Sequence, residues 1–233
     1  MAKKSKTPQP PRRVQAPNRR TKPGGPSRTR MWIAAAAAAA NDAPGAGRIA
    51  WAVARGGGAE SGPCRLQTFP AQKAMHVPPA KLPKGFKYNS FPPTSGPHHP
   101  TPAVWGVYDQ PVGENHLVHN LEHGGIVIQY GKDVPRSELD ELIGWYRKDP
   151  NAIVIAPLPD RPEAKKLSRK ITLAAWWSQL ENENDPRSKI VKEEGRLLTC
   201  SRFDADAVSD FRDDNRGHGP ERFLVTDLTP GSQ

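Results

Sequence analysis

Residues 117–146 read LVHNLEHGGIVIQYGKDVPRSELDELIGWY, and a candidate ligand pair, a strand and a helix follow one another within them. Gly125–Tyr130, GIVIQY, is short, β-branched and closed by Gly131, the pattern of a strand. Asp133 and Pro135 then supply helix start signals, and Leu139, Leu142, Ile143 and Tyr146 recur at the spacing of one helical face, which belongs to a core. Ahead of the strand stands His119-Asn120-Leu121-Glu122-His123, two imidazoles four residues apart with a carboxylate between them. That offset stacks side chains one turn apart on a helix, and in extended chain an even offset keeps them on one side. In either conformation two imidazoles face one point. Gly124 and Gly125 let the backbone turn tightly into the strand at Ile126.

Working outward, Ala103–Tyr108 and Asn151–Ala156 read as further strands, and Lys170–Trp177 as a fourth with Ile171, Leu173, Ala175 and Trp177 on one side. A second helix fits Asp204–Asn215, with Phe203, Ala207, Val208 and Phe211 as its apolar stripe behind acidic residues suited to the first turn. Thr68–Pro102 is crowded with proline and has no helical period, which predicts extended or polyproline-like chain wrapping a surface. This order of elements predicts an α+β domain: a small mixed or antiparallel sheet with two helices packed on one face. It admits a ferredoxin-like topology.

The body spans residues 62–226 and is electrically balanced. The first 30 residues hold ten Lys or Arg and no acid, so the formal net charge of +10 resides entirely in that tail, leaving 24 cations against 24 acids. Such a tail is rich in Pro, Gly, Ser and Thr, cannot build a core, and is expected to be disordered. A balanced domain gives no reason to expect specific nucleic-acid binding. Residues 31–57 contain two apolar pieces, Met31–Ala40 and Arg48–Ala54, divided by the polar stretch Asn41–Gly47. A membrane helix needs about 20 apolar residues. The segment therefore reads as a degenerate transmembrane anchor or an export signal, with an alanine-rich linker in a cytosolic protein as the competing reading. The first reading places the domain outside the cytoplasm and tethers it to the cell membrane, with the basic tail retained inside.

Cys64 and Cys200 are the two cysteines, near opposite ends of the body. In an oxidising compartment they suggest a bridge; in the cytosol, two unrelated buried thiols.

Five of the seven histidines fall between His98 and His123, and imidazole is the commonest protein ligand for zinc and copper. A site built on His119 and His123 needs a third donor, for which His76, His98 and His99 are available. Pro97 and Pro100 constrain His98 and His99, so less entropy is lost on fixing one of them. Met75 beside His76 would suit Cu(I), although adjacent residues in extended chain point oppositely. His116 and His218 are assigned to the surface. Two readings compete with metal binding. In one, these histidines donate to backbone carbonyls and stabilise a loop-rich region. In the other, H-N-L-E-H is the H-x-x-E-H signature of inverted zinc peptidases with Glu122 as general base, which requires a long helix that Gly124 and Gly125 would end.

The motifs CRLQTFPAQKAMHVPP (64–79), PPTSGPH (92–98), WGVY (105–108), LVHNLEHGG with IVIQYG (117–131) and RGHGPER (216–222) together resemble bacterial domain-of-unknown-function family 3105. The resemblance covers about Cys64 to Arg222. It implies a single-pass, externally exposed protein with a basic N-terminal arm, from which residues 41–47 depart, and it implies no particular activity. The motif positions it carries over are His76, His98, His119, Glu122 and His123, flanked by Cys64 and Cys200 as a bridge. The reading for these positions is a transition-metal site for copper or zinc. Its rivals are a zinc hydrolase and a metal-free cell-envelope interaction module.

Overall fold

The computed structural model describes residues 59–77 and 82–233. The basic tail (1–30) and the apolar segment (31–57) lie outside the described residues. Among the described residues no helix is long and apolar enough to cross a membrane.

The elements in chain order are β1 (Ala59–Ser61), β2 (Cys64–Pro70), β3 (Met75–His76), β4 (Pro97–His98), β5 (Gly106–Val107), α1 (Glu114–Glu122), β6 (Ile126–Tyr130), α2 (Arg136–Tyr146), β7 (Ile153–Pro157), a 3-10 turn at Pro162–Leu167, β8 (Ile171–Leu180), β9 (Ile190–Cys200) and α3 (Ala205–Asn215). Seven strands form one mixed sheet in the order β1-β2-β9-β8-β6-β7-β5, its outermost strand β1 only three residues long. β7 runs parallel to β5 and β6, and the remaining pairs are antiparallel. β3 and β4 form a separate two-stranded parallel pair.

The architecture is α+β, and its helices divide between two faces. Ile126 and Ile128, Ile153 and Ile155, and Ile171, Leu173 and Ala175 cluster with Leu142, Trp145 and Tyr146 of α2 and Ala207, Val208 and Phe211 of α3. The alternate residues Val127, Val154, Ala174 and Trp176 point the other way and cluster with Leu117, Val118 and Leu121 of α1 and with Leu228. Burial on both faces is why β6 and β7 read as unbroken apolar runs. The two predicted helices are thus α2 and α3 on one face; a third, α1, covers the opposite face and carries the HNLEH motif.

Other expectations are corrected in detail. The topology is not ferredoxin-like, because β6 and β7 on either side of α2 are hydrogen-bonded neighbours, whereas a split βαβ unit holds another strand between them. Of Ala103–Tyr108, only Gly106–Val107 joins the sheet. The Asn120 side chain takes both backbone groups of Ala103, at 2.9 and 2.8 Å, and Trp105 exchanges bonds with Gly231 and Ser232 instead. The Lys170–Trp177 strand runs on to Leu180 and pairs with β9, whose IVKEEG half is too polar and exposed to read as a strand.

β9 positions the site. A Cβ on Gly195 would stand 2.1 Å from Thr94 Oγ1, so the missing side chain lets the PPTSGPH segment lie directly on this strand, with Thr94 and Ser95 fully buried. Tyr88 adds a hydrogen bond from its hydroxyl to the Pro97 carbonyl at 2.7 Å. The PPTSGPH segment is therefore ordered chain that delivers His98 to the α1 face.

Cys64 and Cys200 stand opposite each other in the β2–β9 register, 4.0 Å apart at Cα, and are disulfide-bonded. Their separation of 136 residues closes a large loop in the unfolded chain. In the chain-entropy account such a loop contributes about 5 kcal/mol. Replacing both cysteines with serine is expected to lower Tm by roughly 10–20 °C in a differential scan; an unchanged Tm would show that the bridge does not stabilise the fold.

Candidate metal centre

α1 is nine residues long, and its apolar residues Leu117, Val118 and Leu121 sit on the sheet. Glu114 begins it, near the positive end of the helix dipole, and is paired with Arg161 at 2.6 Å. Its end is set by Gly124, whose φ of +80° lies in the left-handed region that favours glycine. The remaining side presents His119 and Glu122 to the β3–β4 pair. There the register sets His76 opposite His98, closed by a bond from Val77 N to His98 O at 2.8 Å.

Four groups meet at this junction. Glu122 Oε2 lies 2.8 Å from His98 Nε2 and 3.5 Å from His76 Nε2. The rings of His76, His98 and His119 form a near-equilateral triangle, with centroids 4.9, 4.9 and 5.0 Å apart. One donor atom from each of His76, His98, His119 and Glu122 lies within 4.8 Å of all the others. His98, His119 and Glu122 are buried, while the His76 side chain is 51% exposed.

Backbone carbonyls fix the orientation of the two buried rings. His98 Nδ1 donates to Gly96 O at 2.7 Å, and His119 Nδ1 donates to His99 O at 2.6 Å. A carbonyl oxygen only accepts, so the proton of each neutral ring sits on Nδ1 and the Nε2 lone pair is left toward the cluster. Carbonyl hydrogen bonding and donor convergence thus occur together, on opposite nitrogens of the same rings. A carbonyl behind an imidazole is also the usual support for a metal ligand.

Two of the converging atoms, His98 Nε2 and Glu122 Oε2, are buried 2.8 Å apart, where without metal a protonated His98 donates to the carboxylate. Burying such a pair is costly, and a cation that displaces the shared proton would take both atoms as ligands. The donor set fits a transition metal on this ground. Without metal, burial opposes a charge on His98, but the Glu122 carboxylate and the Gly96 carbonyl outweigh it and raise its pKa. Burial pushes Glu122 up, and the facing imidazoles more than reverse this, so its pKa falls.

His123 belongs to an adjoining set with Glu122 and Glu221. Its Nε2 is 3.0 Å from His119 Nε2 and 3.3 Å from Glu221 Oε2. Burial and the neighbouring His119 push its pKa down to about 4. Glu221 is the functional candidate that sequence reasoning passed over, although RGHGPER was among the motifs of the resemblance. That segment is locked to the end of α1: Gly217 N bonds Gly124 O at 2.8 Å, and Glu221 N bonds Glu122 O at 3.0 Å. Ser178 Oγ donates to the carbonyls of His218 and Gly219, and Arg222 to those of Gly217 and Ser178. A Cβ on Gly219 would stand 2.2 Å from Gly124 N and 2.3 Å from Glu122 O, so only glycine permits the contact.

Other candidates do not converge. His99 contributes its carbonyl, and its ring packs against His116 at 4.1 Å. His116 and His218 are half-buried rather than simply on the surface. Met75 is 44% exposed, on the strand face opposite its neighbour His76. The helix under the H-x-x-E-H match ends at Glu122, with His123 as its cap, so the long helix of inverted zinc peptidases is not present.

An α+β domain with a buried histidine and glutamate cluster is thus the class that fold and site define. Within it, the chain belongs to the family described as "Protein of unknown function (DUF3105)", whose model matches residues 81–226. The match includes His98, His119, Glu122, His123 and Glu221 and begins after His76. No curated protein and no solved structure matches the chain.

A pH dependence follows from three of the rings. Burial lowers the pKa of His119, His123 and His218 from the ordinary 6.5, so for these rings the unfolded chain takes up protons that the folded chain refuses. Their contribution is present above about 6.5 and is lost progressively as pH falls. Among the shifted rings only His98, whose pKa is raised, opposes the trend; the raised carboxyls of Glu114, Glu193 and Glu221 oppose it as well, and the lowered ones of Glu122, Asp149 and Glu194 reinforce it. In excess chelator, the stability lost between pH 7.5 and pH 5.5 in denaturant unfolding is expected to be smaller in His123→Gln than in the wild type; an equal loss would contradict the direction given for His123.

Proposed function

We propose that this domain binds a divalent transition metal, zinc or copper(II), through Nε2 of His76, His98 and His119 and a carboxylate oxygen of Glu122. The observation that carries the reading is the convergence of these four donors from three separate stretches, with both buried rings held by carbonyls so that Nε2 faces inward. Three imidazoles and a carboxylate suit zinc or copper(II). Cu(I) would call for sulfur, but both cysteines are consumed in the disulfide and Met75, 44% exposed, alternates with His76 along β3. Four protein donors on one ion make a closed site, which serves structure or metal handling better than fast catalysis. Glu122 stands among the donors rather than apart from them, where a general base would be.

The bridge between Cys64 and Cys200 supports placing the domain outside the cytoplasm, where disulfides persist. Tethering to the cell membrane through residues 31–57 completes this reading. His76, half exposed beside three buried partners, supplies a route by which an ion can enter or leave.

Elemental analysis and thermal unfolding of the purified full chain test the proposal. Stoichiometric zinc or copper is expected, and metal at about 1,000 times Kd should add about 4 kcal/mol of stability that chelator removes. His119→Ala and His98→Ala should lose the ion with circular dichroism retained, weakening binding beyond the roughly 10–100-fold that loss of an outer partner costs. No stoichiometric metal, together with the same Tm in chelator, would overturn the reading and favour a metal-free envelope module.

A further inference from the structure

We infer that the cluster is built for two ions, with Glu122 as a bridging carboxylate and His123 and Glu221 as the further ligands of the second. The inference rests on the metal-binding reading above and extends it to residues that reading leaves unused. Ligand nitrogens and oxygens stand about 2.0–2.2 Å from zinc, so two donors on one ion are at most about 4.4 Å apart. His123 is not a member of the set in which His76, His98, His119 and Glu122 all lie within 4.8 Å of one another; it groups instead with Glu122 and Glu221. An ion among the first four donors therefore leaves His123 Nε2 and Glu221 Oε2, 3.3 Å apart, as a second pair beside the same carboxylate.

Glu122 is the one residue common to both sets, and it is 4% exposed, with Oε2 2.8 Å from His98 Nε2 in the first set. A buried carboxylate with two oxygens and a cation position on either side is the arrangement that bridges ions about 3.5–4 Å apart. The first position thus takes three imidazoles and the second one, and the two sets adjoin where His119 Nε2 and His123 Nε2 lie 3.0 Å apart.

Glu221 is held there by construction. Its backbone N–H is bonded to the Glu122 carbonyl, and the Gly219–Gly124 backbone approach admits no side chain. The Glu221 side chain is 47% exposed, so the second position opens to solvent on that side. With three protein donors it keeps a coordination place for water or an anion, unlike the first.

Zinc titration of the purified full chain, followed by dialysis and elemental analysis, distinguishes the outcomes. Two equivalents per chain are expected in the wild type, one in Glu221→Gln and one in His123→Gln, with Tm of the zinc-free Glu221→Gln chain unchanged. Loaded with two equivalents of copper(II), the wild type should show a magnetically coupled pair by electron paramagnetic resonance, and Glu221→Gln an isolated ion at full intensity. One equivalent in the wild type, or two that survive Glu221→Gln, would overturn the second position while leaving the first intact. No bound zinc at all would overturn both.

Discussion

Two backbone carbonyls, those of Gly96 and His99, decide which nitrogen of each buried imidazole faces the cluster, and the site depends on that choice. An imidazole with Nδ1–H satisfied behind it offers a lone pair in front. Both carbonyls belong to the same short segment, residues 94–99, and that segment is fixed from beneath by Thr94 against Gly195 of β9 and from the side by the Tyr88 hydroxyl. Sheet, segment and helix are thus coupled. A displacement of β9 would move Gly96 and His99, and with them the orientation of rings at the far side of α1.

Burying these groups has a cost. His119, Asn120 and Glu122 of the nine-residue helix α1, and His98 of β4 beside them, are all 4% exposed or less, a concentration of polar side chains that packing for stability alone would not select. Asn120 is fully satisfied by Ala103 and acts as structure. The His98–Glu122 contact is instead an ion pair taken out of water, whose burial is costly and which a cation can replace.

Much of the fold was legible because burial on both sheet faces leaves a strong mark: GIVIQY and the 151–156 run could be read directly, as could α2 and α3 from their apolar stripes. α1 was not. Its residues Leu117, Val118 and Leu121 give a narrow stripe interrupted by buried polar residues, so the chain looked equally helical or extended until its packing was seen. β9 failed for the opposite reason, since Lys192, Glu193 and Glu194 form the polar outer half of a strand whose apolar end is only Leu197 and Leu198. The histidines of the cluster were legible through their spacing, but the partition between them was not. Nothing local to HNLEH separates His119 from His123, and nothing in RGHGPER says that Glu221 returns to the end of α1. Both depend on a backbone contact between glycines about 95 residues apart, Gly124 and Gly219.

X-ray absorption at the metal edge of the full chain carrying one equivalent of zinc tests the central claim most directly. The account predicts nitrogen and oxygen neighbours at about 2.0–2.1 Å, with outer-shell scattering from three imidazole rings and none from sulfur. A spectrum with sulfur in the inner shell, or with water oxygens and no imidazole scattering, would contradict it.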